Sequence, residues 1–279
     1  MKTLLLPVDF SNTCLNTIKY VASLSKDLQI SRIILLKSYY VSMYAQLLPS
    51  VDFVQLSADD ILAERQRQEE RLQTLSIQML SECNPAVKVE LASSEEPLLR
   101  AIQEVVAQYQ PDLLVLSAKN EKVDEDNPVG DRVVAVAKTS TVPVLVIPPQ
   151  AHYQPLKQVL VPCDFNAVAR LSVLSKLQSL NFSSHPELII LSVKKSGNPE
   201  AAKAEHMKLL KHQLQNNSYR LEYISQPDIV EGVVKFADEN DVQLIVALPG
   251  KHSFFYNLTH QSISQAIATN AHQPVLILK

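Results

Sequence analysis

Short apolar runs alternate with longer amphipathic segments along this 279-residue chain, and the alternation occurs twice. The first half contains five such runs, at Thr3–Val8, Ile33–Leu36, Val87–Leu91, Leu113–Leu116 and Val144–Ile147. The second half contains five more, at Val159–Val161, Leu188–Val193, Arg220–Ile224, Leu244–Ala247 and Val275–Leu278. Short continuous apolar runs are typical of strands buried on both faces of a parallel sheet. The pattern therefore predicts two sets of five strands.

Segments with helical spacing separate the apolar runs. Ser11 or Asn12 is suited to cap a helix whose apolar residues recur at helical intervals. Further helices are predicted from Ala58 to Ser81, from Pro97 to Tyr109 and from Gly130 to Ser140. Strands that alternate with helices require right-handed crossovers, which give a parallel sheet covered by helices on both faces.

The two halves also resemble each other in sequence. Lys2–Asn12 reads KTLLLPVDFSN, Lys157–Ala167 reads KQVLVPCDFNA, and both halves close on Pro-Val followed by apolar residues. The repeat indicates duplication of one α/β unit. It predicts a first domain at 1–150 and a second at 156–279, joined by residues 152–155. A segment around Tyr39–Asp59 is peculiar to the first copy.

Charge and cysteine content exclude several classes of protein. Residues 1–150 carry 14 Lys and Arg against 19 Asp and Glu, and no basic tract is present, which disfavours nucleic-acid binding. No stretch approaches the roughly 20 apolar residues that span a bilayer. The three cysteines, Cys14, Cys83 and Cys163, are widely spaced, which argues against a disulfide framework or a zinc site. We expect a cytoplasmic protein without a membrane segment.

The strand ending in Pro-Val-Asp and the closing Pro-Val-Leu-Val resemble the universal stress protein family. The resemblance covers almost the whole chain as two tandem copies. It implies two tandem doubly wound, five-stranded parallel-sheet domains of the adenine nucleotide alpha hydrolase-like class, with strand order 3-2-1-4-5. Many members bind ATP through Gly-x2-Gly-x9-Gly-(Ser/Thr), which runs from the end of strand four to the start of helix four.

The glycine positions of that motif are largely replaced here. In the first copy the matching residues are Ser117, Asn120, Gly130 and Asp131, and in the second they are Leu248, Lys251, Gln261 and Ser262. Glycines let the backbone approach phosphate oxygens at a helix N-terminus. Asp131 would set a carboxylate against the phosphate. The resemblance therefore implies vestigial nucleotide sites, and we expect no required cofactor, although ATP with magnesium is a possible ligand.

Two acids match the family's first-strand acid, which lies near the ribose and base. These are Asp9 and Asp164. An alternative interpretation is that each carboxylate caps the following helix or turn. Near the second motif, Lys251, His252, His260 and Ser262 form the better anion-binding set, and a solvated loop explains them about equally well.

Other candidate groups follow strand two and the helix starts. Tyr39, Tyr40, Met43 and Tyr44 lie where open α/β sheets form their binding crevice, and they could stack on a planar ligand or cover apolar surface. Cys14 and Cys163 lie near the starts of the first helices, where a helix dipole could lower the pKa of a thiol. Their distance in sequence from the shared Asp differs between the copies, which argues against a common redox role.

These observations favour a stress-response or regulatory binding protein without catalytic activity. The first alternative is an adenine-nucleotide binder that uses mainly the second domain, through Asp164, Lys251 and Ser262, with slow ATP hydrolysis. The second is a sensor of another small ligand, uncharged or cationic, near Tyr39, Tyr44 and Asn120. The expected partners are the two domains themselves, paired through their fifth strands as an internal pseudo-dimer, together with a second copy and a regulatory protein.

Overall fold

The computed structural model describes residues 2–40, 58–118, 133–163, 186–194, 214, 218–247 and 271–278. In the first half the elements are β1 (Lys2–Pro7), α1 (Asn12–Asp27), β2 (Ile30–Ser38), α2 (Ala58–Glu82), β3 (Lys88–Ser94), α3 (Leu98–Tyr109), β4 (Leu113–Ser117), α4 (Val133–Thr139) and β5 (Val144–Ile147). In the second half they are β6 (Gln158–Pro162), β7 (Glu187–Lys194), β8 (Tyr219–Ser225), α5 (Ile229–Glu239), β9 (Leu244–Ala247) and β10 (Val275–Ile277). All ten predicted strands are present.

The strands form one sheet with the order β3-β2-β1-β4-β5-β10-β9-β6-β7-β8. Each half therefore has the expected order 3-2-1-4-5, and the second half is reversed beside the first. Strands within each half pair in parallel, while β5 and β10 pair antiparallel. The doubly wound α/β fold predicted from the alternating pattern and the resemblance is confirmed.

The closing strands of the two halves form the joint between them. Leu276 pairs with Leu145, and its neighbours Val275 and Ile277 pair with Val146 and Val144. These strands carry the apolar runs with which each half of the sequence ends. Their pairing makes the backbone hydrogen bonding continuous from one half to the other.

The same turn conformation and side-chain hydrogen bond precede β4 and β9. Gln110 and Asp241 both have a left-handed backbone, with φ of 46° and 47°, three residues before their strands. A side-chain oxygen just before each strand then accepts a hydrogen bond from the neighbouring first strand. Asp112 accepts from the Thr3 N–H at 2.8 Å, and Gln243 accepts from the Gln158 N–H at 2.8 Å. The two halves thus share turn chemistry as well as strand order.

Helices pack on both faces of the sheet. One face holds α1 and α2, which contribute Ile18, Val21, Leu72, Leu75 and Met79 to the buried cluster. The other face holds α3, α4 and α5, which contribute Ala101, Ile102, Val105, Val133, Val136, Val233 and Ala237. Among the described helices, none is both long and apolar enough to cross a membrane.

The segment that links the halves is packed against α1. The Asn16 Nδ2 donates to the Ala151 carbonyl at 2.9 Å, and the Tyr153 hydroxyl donates to the Asp27 carboxylate. The Tyr153 ring meets the Tyr20 ring edge to face at 5.3 Å between centroids. This geometry is favourable for aromatic pairs and anchors the partly buried Tyr153 of the linker to α1.

The pair of Tyr20 and Tyr153 makes the stability of the fold depend on pH in the alkaline range. Burial raises the pKa of Tyr20, and burial followed by the Asp27 carboxylate raises the pKa of Tyr153. Because the pKa of each phenol is higher in the folded protein than in the unfolded chain, the unfolded chain loses its phenol protons first. Stability is therefore complete below about pH 10, the pKa in an unfolded chain, and falls as the pH rises above it. We therefore expect the free energy of unfolding, measured in urea, to fall between about pH 10 and pH 12.

Removal of one phenol isolates this effect. Tyr153→Phe retains the ring and removes the ionisable hydroxyl group. The loss of stability between neutral and alkaline pH should therefore become smaller. Tyr40→Phe is the control, because the Tyr40 side chain is exposed. An alkaline slope that is identical in wild type and Tyr153→Phe would contradict this assignment.

Candidate functional site

Polar side chains collect where β1, β2 and β4 end, at the carboxyl edge of the first half. Asp9 follows β1, Tyr39 follows β2, and Ser117 is the last residue of β4. Because β1 and β4 are neighbours while their connections lead to opposite sides, the strand order reverses between them. Open α/β sheets bind ligands at such a switch point. We call the set Asp9, Phe10, Lys37, Tyr39, Arg71 and Ser117 the edge site.

Asp9 is divided between a structural contact and an unpartnered oxygen. Its Oδ1 accepts from the Ser11 N–H at 3.0 Å and from the Ser11 hydroxyl at 2.7 Å. Ser11 in turn caps α1 by accepting from the Cys14 N–H at 3.2 Å. The expected turn-capping role of Asp9 is thus confirmed. Its Oδ2 is buried and has no hydrogen-bond partner among the described residues.

Ser117 and Tyr39 each bury a hydroxyl without a partner. The Ser117 side chain is 1% exposed, and its Oγ makes no hydrogen bond within the described part of the chain. The Tyr39 hydroxyl is likewise buried and makes no hydrogen bond within the described part of the chain. The Cζ of Arg65 lies 5.3 Å from the centroid of the Tyr39 ring. Burial raises the pKa of Tyr39, so the phenol remains a neutral donor and acceptor.

Within the edge site, Phe10 lies close to both Lys37 of β2 and Arg71 of α2. Its backbone has φ of 64°, a left-handed conformation that is unfavourable for a bulky residue. Its ring packs against the buried cluster. The Lys37 Nζ lies 4.9 Å and the Arg71 Cζ 4.4 Å from the ring centroid. Burial lowers the pKa of Lys37, and the nearby Asp9 opposes that shift.

Cys14 corrects one expectation. Burial, followed by the charge of Asp9, raises the pKa of its thiol to about 12. The lowering by the helix dipole that the sequence allowed does not occur, because desolvation and a like charge dominate at this position. The Cys14 thiol is therefore a buried core group and not a nucleophile. Among the described residues, no cluster of three or more His, Cys, Asp or Glu side chains could hold a metal ion.

Only part of the sequence-derived site lies within the described residues. Asp9 follows β1, Ser117 ends the neighbouring strand β4, and Tyr39 follows β2 on the other side of β1. Tyr40 is exposed to solvent. The remaining candidates lie outside the described residues and stay predictions: Met43, Tyr44, Asn120, Gly130, Asp131, Asp164, Leu248, Lys251, His252, His260, Gln261 and Ser262. Sequence reasoning missed Phe10, Lys37 and Arg71. Lys37 alone left a signal, since it is a charge at the end of an apolar run.

The model of the universal stress protein family matches residues 1–148. This chain belongs to the universal stress protein family. A universal stress protein from Archaeoglobus fulgidus DSM 4304 is similar in structure, with a TM-score of 0.68 and 16% identity, covering 100% of this chain and 96% of that one. A putative universal stress protein from Pseudomonas aeruginosa UCBPP-PA14 gives 0.51 and 15%, covering 100% and 93%.

A protein of another kind has a similar fold. The cytoplasmic domain of a prokaryotic cation chloride cotransporter gives a TM-score of 0.51 at 12% identity and covers 99% of this chain and 94% of that one. No curated protein matches this chain. At these identities the structural likenesses show a shared fold, and the function of this universal stress protein has to be argued from its own residues.

Proposed function

We propose that this universal stress protein is a non-catalytic stress-response or regulatory protein that binds a small polar ligand at the edge site. One observation supports this proposal above others. Asp9 Oδ2, Tyr39 OH and Ser117 Oγ are three of the seven buried, unpartnered side-chain atoms among the described residues. All three lie at the carboxyl ends of adjacent strands, where this class of fold binds ligands.

The energetic argument concerns the cost of these unpartnered oxygens. A buried polar atom without a hydrogen bond destabilises a protein by about 1–3 kcal/mol, and native structures contain few of them. A ligand with hydrogen-bonding groups removes that cost when it binds. The Asp9 carboxylate only accepts, whereas the two hydroxyls both donate and accept. The ligand must therefore offer at least one donor.

The first motif position supports a ligand held independently of an ATP loop. In the family motif a glycine allows the backbone to approach a phosphate, and here Ser117 brings a side chain to that position. We propose that ATP is not required for function. Asp131, if it follows the motif as the sequence predicts, adds a like charge against phosphate.

The expected partners also become proposals. We propose that the β5–β10 pairing makes the two halves an internal pseudo-dimer, with a regulatory protein or a second copy as further partners. A cytoplasmic location is supported by the three buried, unbridged cysteines.

Replacing Ser117 tests the proposal without knowledge of the ligand. In the ligand-free protein, Ser117→Ala removes an unpartnered buried oxygen, so the free energy of unfolding should stay unchanged or rise by about 1 kcal/mol. Ser25→Ala is the matched control. The Ser25 side chain is equally buried, but its Oγ donates to Ala22 and accepts from the Asn84 N–H. That variant should lose about 1 kcal/mol or more.

A thermal-shift panel then identifies the ligand class. The full chain is screened against polyols, amino acids, sugar phosphates and magnesium nucleotides, and each hit is titrated into Asp9→Asn and Ser117→Ala. Asp9→Asn preserves an acceptor for Ser11 but puts an amide group where ligand donors need a carboxylate. Affinity should fall about tenfold in either variant, or 1.4 kcal/mol. A hit with unchanged affinity in both variants would remove the edge site from the function.

A further inference from the structure

Two cationic side chains from different elements converge on the Phe10 ring. Lys37 is the penultimate residue of β2, and Arg71 lies midway along α2. Their charged groups lie 4.9 Å and 4.4 Å from the same ring centroid. A cation on an aromatic face is stabilised by the ring quadrupole, so the Phe10 ring favours both charges in these positions. Phe10 follows Asp9 directly in the sequence and has a left-handed backbone.

Neither cation has a carboxylate within ion-pair distance among the described residues. The other arginines with described side chains are all ion-paired: Arg32, Arg65, Arg67, Arg100 and Arg220. Arg65 is the informative comparison, because it also stacks on an aromatic ring, that of Tyr39. Its guanidinium nevertheless contacts Glu69 at 3.3 Å and Glu95 at 2.6 Å. Stacking on a ring therefore does not explain why Arg71 lacks a carboxylate.

Two acids act on Lys37 electrostatically without forming an ion pair with it. Asp9 and Glu64 both interact electrostatically with Lys37. Asp9 directs one oxygen to Ser11, and Glu64 pairs with Arg67 at 3.5 Å and accepts from Gln68 at 3.0 Å. Lys37 is half-buried, and a cation in that environment is stabilised by an opposite charge. Glu64 is paired with Arg67, so the Asp9 carboxylate is left to offset the two positive charges of Lys37 and Arg71.

We propose that Lys37 and Arg71 bind the anionic group of the ligand, a phosphate or a carboxylate, on the α2 side of the edge site. This inference rests on the proposed function and deepens it. A guanidinium and an ammonium are the side chains suited to such anions. Asp9 Oδ2 requires a donor from the same ligand. The ligand class is a small anionic molecule that also carries hydroxyl or amine groups. This proposal differs from the sequence-derived alternative of an uncharged or cationic ligand, which stays a prediction.

A structural role for the two cations makes different predictions. If Arg71 serves only to fasten α2 to Phe10, Arg71→Gln should lower the Tm of the ligand-free protein and leave anion binding unaffected. If Arg71 binds an anion, the Tm of the ligand-free variant should remain close to that of wild type. The substitution then loses the contact with Phe10 but also removes the repulsion between Arg71 and Lys37. Arg71→Lys retains a charge and should partly restore binding.

The test is a titration of the full chain with inorganic phosphate, and separately with acetate, at ionic strength held constant with chloride. Wild type should show a saturable rise in Tm with at least one of the two anions, which also identifies the preferred group. Arg71→Gln and Lys37→Gln should weaken binding at least tenfold. Arg67→Gln, a change of an exposed arginine on the same helix, should bind like wild type. If Lys37→Gln fails to fold, Lys37→Arg replaces it and should retain binding.

The outcomes separate this inference from the proposed function. Absence of saturable binding in wild type, or equal affinity in all variants, overturns the anion assignment. If the metabolite panel still yields a ligand that depends on Asp9 and Ser117, the proposed function stands and only the roles of Lys37 and Arg71 are wrong. If both experiments are silent, both proposals fail.

Discussion

Leu276→Ala lowers the free energy of unfolding by about 2–5 kcal/mol, the range for a large aliphatic residue removed from a core. Leu276 is 1% exposed and pairs with Leu145 across the joint. With Leu113, Leu156 and Leu244 it lines a cavity of only about 10 Å³, so this part of the core is closely packed and truncation leaves a larger cavity. The loss is measured by urea unfolding of the full chain, followed by circular dichroism.

The matched control for the joint is Leu91→Ala on edge strand β3. Leu91 is 42% exposed, and surface changes of this kind remain within about 0.5 kcal/mol. Because the joint couples the halves, Leu276→Ala should also broaden the unfolding transition as the halves begin to unfold separately. Equal losses in Leu276→Ala and Leu91→Ala would mean that the β5–β10 joint contributes little to stability.

Met79→Ala is expected to have an effect of similar size and to act on the edge site as well. Met79 is fully buried with Leu72 and Leu75 in the stripe by which α2 packs on the sheet. Its truncation should destabilise the protein by about 2–5 kcal/mol. Since α2 carries Arg71, looser packing should also weaken phosphate binding. The measurement is urea unfolding together with the phosphate titration.

Ile77→Ala provides the control on the same helix. Ile77 is 70% exposed and lies only two residues from Met79, so its truncation should change stability by no more than about 0.5 kcal/mol. Phosphate affinity should be unchanged. A large loss in Ile77→Ala, or none in Met79→Ala, would show that α2 packs through a different face.

The fold was predictable because strands buried on both faces leave a strong signal. Runs such as Leu113–Leu116 have no polar position and are too short for a helix, which favours a strand buried on both faces. The strand order came from the family resemblance, and the turns before β4 and β9 were not visible in the sequence. Gln110 and Asp241 adopt a left-handed backbone without being glycine. Such positions depend on the tertiary contacts that hold them.

The edge site was predictable only where the family motif reached it. Asp9 and Ser117 follow from the motif, whereas Arg71 is more than 60 positions from Phe10 in sequence. Helical periodicity predicts the buried stripe of α2 but not which flanking cation meets an aromatic ring. For the Cys14 thiol the sequence shows the nearby helix start but not the burial, which raises the pKa in the folded protein.

The central claim is that this universal stress protein binds its ligand through residues of its own edge site and not through an ATP loop. Isothermal titration calorimetry of the full chain with magnesium ATP tests it most directly. The account predicts no binding tighter than about millimolar, and any weak binding should depend on Arg71 and not on Ser262. Micromolar binding that is lost in Ser262→Ala and Asp164→Ala, and unaffected by Arg71→Gln, would contradict it and establish an adenine-nucleotide site in the second half.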